Sequence, residues 1–262
     1  MSTHFGLDIG SFSIKAVQAE RKNKNYRLVS LGEVRTPANI NSQEEADKRA
    51  IIVAIKKLLT EARISTKDVT LSLSEADVYS QVVELPYLSE TELASAINFE
   101  AEQYIPVPLE EVQLEYLILS TTPKGIKERR MEILLVAAKK YAVDRMVELT
   151  EAAGLIPLVL ETEILSLIRT INLVFEGNCL FLNLGYSSTN IVILQNKGLK
   201  FTRALNTAGE ALTRAVSREL NMDVIQAEQY KSAYGLDKTV LEGKLRKAIL
   251  PTFNVILTEV KK

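Results

Sequence analysis

One short pattern occurs at two distant places in the chain, and this repeat limits the fold more tightly than any bulk property. Leu7-Asp8-Ile9-Gly10-Ser11-Phe12-Ser13 and Leu182-Asn183-Leu184-Gly185-Tyr186-Ser187-Ser188 both read apolar, short polar, apolar, glycine, two residues, serine. Each joins the first two strands of a unit that reads strand, strand, strand, helix. In the first unit, strand patterns at 5–9, 14–19 and 26–31 precede apolar residues at helical spacing between Ala46 and Leu59, and a further strand follows at 69–73. In the second, strands at 180–184, 189–194 and 200–205 precede the stripe Ala211, Leu212, Ala215, Val216 and Leu220. Ser42-Gln43-Glu44-Glu45 and Thr207-Ala208-Gly209-Glu210 have the residue types of capping boxes and predict the two helix starts.

Between the two units lies a different pattern. Val78 to Leu85 is extended, and Ser89-Glu90-Thr91-Glu92 predicts a capped helix with Leu93, Ala96, Ile97, Ala101 and Tyr104 as its apolar stripe, ended by Pro106. Strands follow at 112–119 and 131–138, then a helix from about Ala142 that closes at Gly154. The expected division is a first domain at 1–76 with a return helix at 161–176, an inserted α+β subdomain at 77–160, and a second domain at 177–262.

The repeated tips suit a nucleotide polyphosphate. A strand delivers the Asp8 carboxylate to a hairpin tip, where it can hold the water shell of a magnesium ion. Gly10 and Gly185 allow close backbone approach, and exposed amides with Ser11, Ser13, Ser187, Ser188 and Thr189 can donate to phosphate oxygens. Two such hairpins would clamp a triphosphate between domains, with Lys15 on the return strand supplying a cation. Two ordinary hairpins with polar tips facing water would give the same residues. No G-x-x-x-x-G-K-[ST] loop is present, and no G-x-G-x-x-G follows a strand.

Composition removes several other chemistries. Lys+Arg is 32 against Asp+Glu 33, which argues against nucleic acid as the main partner. The single cysteine, Cys179, sits in an apolar run and reads as a buried small hydrophobe; the single histidine, His4, reads as an exposed terminal residue. These counts exclude His/Cys zinc sites and disfavour a Ser-His-Asp triad. No apolar run approaches the roughly 20 residues needed to cross a bilayer, and no signal peptide is visible, so a cytoplasmic protein without membrane insertion is expected.

The tips resemble the two phosphate loops of the actin/Hsp70/sugar-kinase superfamily. Within it, Leu85-Pro86, the helix start at Glu90 and above all Phe99-Glu100-Ala101-Glu102-Gln103-Tyr104-Ile105-Pro106-Val107-Pro108 are similar to the type IV pilus assembly protein PilM family. Ala153-Gly154-Leu155-Ile156-Pro157 and Ala227-Glu228-Gln229-Tyr230-Lys231 fit the same family. The resemblance implies an α/β, actin-like (ribonuclease H-like) two-domain fold with a small α+β insertion of the SHS2 type found in FtsA. It implies an ATP- and magnesium-binding scaffold, peripheral at the inner face of the inner membrane. Such a scaffold binds the cytoplasmic N-terminal peptide of PilN in a groove between the first domain and the insert, meets PilO and PilP through it, and is able to self-associate. By motif match, Asp8, Gly10, Ser11, Ser13 and Lys15 form the first phosphate loop, with Asp8 holding magnesium through water. Asn183, Gly185, Ser187, Ser188 and Thr189 form the second, and Glu228 and Lys231 sit beside ribose and base. Glu161 and Glu163 are candidates to orient attacking water. For these two, an exposed helix start that favours acids is the plainer reading; for Glu228 and Lys231 it is a solvated i,i+3 pair.

The chain departs from the superfamily at Asn183, where hydrolases usually carry Asp. An amide can bond to a metal-bound water but cannot stabilise the ion by charge, so binding is expected to survive while hydrolysis slows or is absent. The Gly-rich adenosine loop expected after residue 250 is not found, which predicts an incomplete second domain and poor ATP affinity in this form. Two competing readings are an FtsA-like division or filament protein, which needs an amphipathic anchor, and a small-molecule kinase, which needs a carboxylate facing its acceptor.

Overall fold

The structure, a computed structural model, describes residues 4–262 apart from Lys24 and Lys124. Contacts divide the chain into two units, Met1–Asn178 with Leu194–Phe201, and Cys179–Ile193 with Thr202–Lys262.

In the first unit, β1 (Phe5–Ile9), β2 (Ser13–Lys22), β3 (Asn25–Arg35), β4 (Asp68–Leu73) and β8 (Ile156–Thr162) form a five-stranded sheet in the order β3-β2-β1-β4-β8. The strand period of two decides its faces. Phe5, Leu7 and Ile9 of β1 are buried with Val69, Leu71 and Leu73 of β4. They pack in one core with α1 (Glu45–Glu61), whose buried Ile51, Ala54, Ile55, Leu58 and Leu59 recur at helical spacing. The alternate residues, Asp8 among them, are left on the opposite face, where α4 (Glu163–Val174) packs against β4 and β8.

The insert is a three-stranded sheet with one helix. β5 (Val78–Pro86), β7 (Arg130–Lys139) and β6 (Val112–Thr121) are ordered β5-β7-β6, and α2 (Glu90–Glu102) packs Leu93, Ile97 and Ala101 on Val83, Leu85, Met131, Ile133 and Leu135. The Ser89 capping box is formed in full. The elements that follow belong elsewhere than the sequence pattern suggests. α3 (Lys140–Ala152) packs Ala142, Met146 and Leu149 into the first core, and β8 pairs in parallel with β4. Residues 140–160, grouped with the insert by sequence order, therefore pack with the first sheet.

Strands β9 (Cys179–Leu184), β10 (Thr189–Gln195) and β11 (Gly198–Leu205) lie in the order β11-β10-β9, the same spatial order as β3-β2-β1. Helices α5 (Gly209–Leu220), α6 (Val224–Tyr234) and α7 (Lys244–Val260) share a core of Leu212, Val216, Ala227, Leu245, Ala248 and Ile249.

Candidate functional site

The first tip begins where β1 ends. Asp8 stands directly opposite Lys15 across the β1–β2 pair, with 3.7 Å between Lys15 Nζ and Asp8 Oδ2. Ser72, at the end of the parallel neighbour β4, donates from Oγ to Asp8 Oδ1 at 3.0 Å. The Gly10 amide donates to the Ser13 carbonyl at 3.2 Å, which closes the tip. A Cβ at Gly10 would stand 2.9 Å from that same oxygen, so the turn requires glycine. Thr36 at the end of β3 buttresses the tip by donating from Oγ1 to the Gly10 carbonyl at 2.6 Å. Ser11 is exposed at the tip and Ser13 is buried.

The face that carries Asp8 also receives the start of α4. Thr162 is the N-cap, accepting from the Leu165 amide at 3.3 Å, and Glu163 is the first helical residue. Burial raises the Glu163 carboxyl, the charges of Asp8 and Glu75 raise it further and Lys15 opposes them, leaving it at about 7. Such a group can hold or release a proton near neutrality. Glu161 is level with Ser72 in the β4–β8 register, on the face that carries Asp8, and its carboxylate is ion-paired and hydrogen-bonded with Arg169.

The second tip repeats the first in detail. The Gly185 amide donates to the Ser188 carbonyl at 2.9 Å, and a Cβ at Gly185 would lie 2.8 Å from that oxygen. Here the start of α5 is the buttress: the amides of Gly209 and Glu210 donate to the carbonyls of Gly185 and Tyr186 at 3.0 and 2.8 Å. A Cβ at Gly209 would come within 3.1 Å of the Gly185 oxygen, a tight approach to backbone. Thr189 is fully buried and donates its hydroxyl to the Thr207 carbonyl at 2.7 Å, whereas Ser187 is exposed at the tip.

Glu228 and Lys231 do pair, but beneath the surface. Lys231 Nζ donates to Glu228 Oε2 at 2.7 Å, to Thr213 Oγ1 at 2.9 Å and to the Gly209 carbonyl at 3.1 Å. Burial alone would raise the Glu228 carboxyl, yet Lys231, Thr213 and Ser232 together hold it below the usual carboxylate range. The pair thus braces α6 against the glycine that opens α5. Thr36, Ser72, Glu75, Gly209 and Thr213 were not singled out from the sequence. Their only signal is position, at or just past strand ends and in the first two turns of α5.

The first unit also contains an apolar groove of about 450 Å³. It runs between β6 and β8, which are edge strands of their respective sheets. Leu117 of β6 and Leu158 and Val159 of β8 are each about half exposed (49%, 52% and 51%). Val136 and Ala138 of β7, with Val143 and Val147 of α3, complete the lining. Among the described residues, no group of three His, Cys, Asp or Glu residues is placed to hold a metal directly, and no helix is long and apolar enough to cross a membrane.

Twin glycine–serine tips on twin three-strand, one-helix units, with an insert after the first, define an actin-like fold. The comparisons with known proteins agree. The family described as type IV pilus assembly protein PilM matches residues 6–254, and the chain belongs to that family. It superposes on the solved PilM-PilN type IV pilus biogenesis complex with a TM-score of 0.83 at 28% identity, covering 99% of this chain and 75% of that one. The cell division protein FtsA of Enterococcus hirae is 26% identical over 265 residues, covering 88% of this chain; the chain spans 58% of that relative's length. MreB 5 of Spiroplasma citri, solved with AMPPNP, shares the fold at a TM-score of 0.52 and 13% identity, over 98% of this chain and 77% of that one.

Proposed function

We propose that the protein is a nucleotide-binding adaptor of a type IV pilus assembly platform, which holds the extended N-terminal peptide of a PilN-type partner in the groove between β6 and β8. The observation that carries this reading is the groove itself. Two edge strands leave one row of backbone donors and acceptors unpaired on each side of an apolar trough, which is what an added peptide strand needs. The family match and the likeness to a PilM-PilN complex support the choice of peptide. Through PilN the adaptor would meet PilO and PilP at the cytoplasmic face of the inner membrane, with self-association as a further property.

In the same proposal Mg-ATP is the nucleotide, and each tip is a phosphate-binding loop. The donor set fits. A single half-exposed carboxylate on a strand end suits a magnesium ion that keeps most of its water, and Asp8 would hold it with Ser72 fixing the carboxylate. Lys15 and the exposed Ser11 and Ser187 suit phosphate oxygens. When bound, magnesium supplies charge neutralisation on the phosphates. Glu163 orients the attacking water and accepts its proton. Asn183, an amide, makes hydrolysis slow.

Fluorescence anisotropy with a labelled PilN-type N-terminal peptide tests the adaptor reading. The intact protein is expected to bind the peptide, and Leu158→Asp to abolish binding without loss of folding, because Leu158 is half exposed. Failure of the wild-type protein to bind would refute the reading.

A further inference from the structure

The first unit contains a buried carboxylate that the scheme above does not use. Glu75 lies in the short 3-10 turn, Glu75–Asp77, through which the chain leaves β4 for the insert, and it is 4% exposed. Burying a carboxylate is expensive unless its oxygens are engaged. Two partners from different stretches of chain engage it. The Ile164 amide donates to Oε1 at 3.4 Å, and Ser80 Oγ of β5 donates to Oε2 at 3.3 Å. One of these donors, Ile164, directly follows Glu163.

We propose that Glu75 is the positioning residue of the phosphate site: it fixes the first turn of α4 and thereby sets Glu163 against Asp8, without itself touching the nucleotide. The first turn of α4 shows how the device is built. Thr162 Oγ1 caps the Leu165 amide, and the N2 amide, that of Ile164, is anchored to the Glu75 carboxylate. A helix start held only by its own cap can fray or rotate, and a displacement of about 1 Å at a reacting centre can lower a rate on the order of a hundredfold. An apolar residue at position 75 would fill the space but leave the Ile164 amide unanswered. The Ser80 contact ties the same carboxylate to the first strand of the insert, which explains why the anchor stands at the point where the insert leaves the sheet.

The proposal rests on the reading of Glu163 as the water-orienting group, and the experiment separates the two. In the intact protein, Mg-ATP affinity is measured by calorimetry and hydrolysis by single turnover for wild type, E75A, E75Q, E163A and E75A/E163A. Amide exchange at Ile164 and Leu165 is followed in the nucleotide-free protein. E75A is expected to slow turnover about tenfold or more with affinity within about twofold of wild type, and to accelerate exchange at Ile164. E75Q should recover most of the rate, because its amide oxygen still accepts from Ile164, and the double variant should be no slower than E163A. Turnover by E75A at the wild-type rate, unchanged exchange at Ile164, or additive losses in the double variant would each overturn the proposal. So would rate and affinity falling together in E75A and E75Q alike. Wild type that binds Mg-ATP without turning it over would remove the role of Glu163, and this proposal with it.

Discussion

Glu163 is an acid whose surroundings oppose its charge: burial first, then Asp8 and Glu75, lift it from the ordinary 4.5 to about 7. Below pH 4.5 the group is protonated in both the folded and unfolded chain and has no effect on stability. Between 4.5 and 7 the folded state keeps a proton that the unfolded state has released, so stability falls as pH rises; above 7 the whole penalty is present. Glu163→Gln is therefore expected to stabilise the nucleotide-free protein by on the order of 1–3 kcal/mol at pH 8 and not at pH 4, measured by urea unfolding at both values. The tip glycines allow an equally local prediction. An alanine at Gly185 places its Cβ 2.8 Å from the Ser188 oxygen, and the neighbour is backbone, which cannot swing aside. Gly185→Ala should cost about 1–3 kcal/mol in thermal unfolding and weaken Mg-ATP binding with it. Asp8 and both tips were legible in the sequence because strand alternation and the glycine–serine spacing are local signals. Glu75 was not, because its partners lie five residues and nearly ninety residues away and only the fold brings them together.

At the scale of elements, the same short motif succeeded once and failed twice, for identifiable reasons. Ser89 caps α2 as its sequence suggests. Ser42 does not cap α1, which starts at Glu45: the buried Arg145 guanidinium donates to the Ile40 and Ser42 carbonyls and holds that stretch as a loop. Thr207 does not cap α5, because the first α5 amides are committed to the carbonyls of the second tip. Tertiary partners outweighed the local pattern at both. Pro251 shows the same override from another side: α7 runs through it from Lys244, carried by the burial of Leu245, Ala248, Ile249 and Ile256. A proline there removes one backbone hydrogen bond, and its ring is exposed. Pro251→Ala should therefore raise the melting temperature, with a gain of about 1–3 kcal/mol; a fall would mean that the ring makes a contact the helix needs. Packing also decided where α3 and β8 belong, since their order along the chain follows the insert while their apolar residues complete the first core.

For the whole molecule, the doubled three-strand, one-helix unit was readable because each copy is contiguous and shows its own periodicity. The groove was not, since its walls come from stretches centred near residues 115, 137, 145 and 160, and no local pattern announces that two sheet edges will face one trough. The central proposal is that each tip is a phosphate-binding loop for Mg-ATP. Its most direct test is calorimetric titration of the intact protein with Mg-ATP, comparing wild type with Asp8→Ala and Asn183→Ala. The account predicts that Mg-ATP binds and that each substitution weakens binding by about tenfold or more. An affinity untouched by either substitution would contradict it.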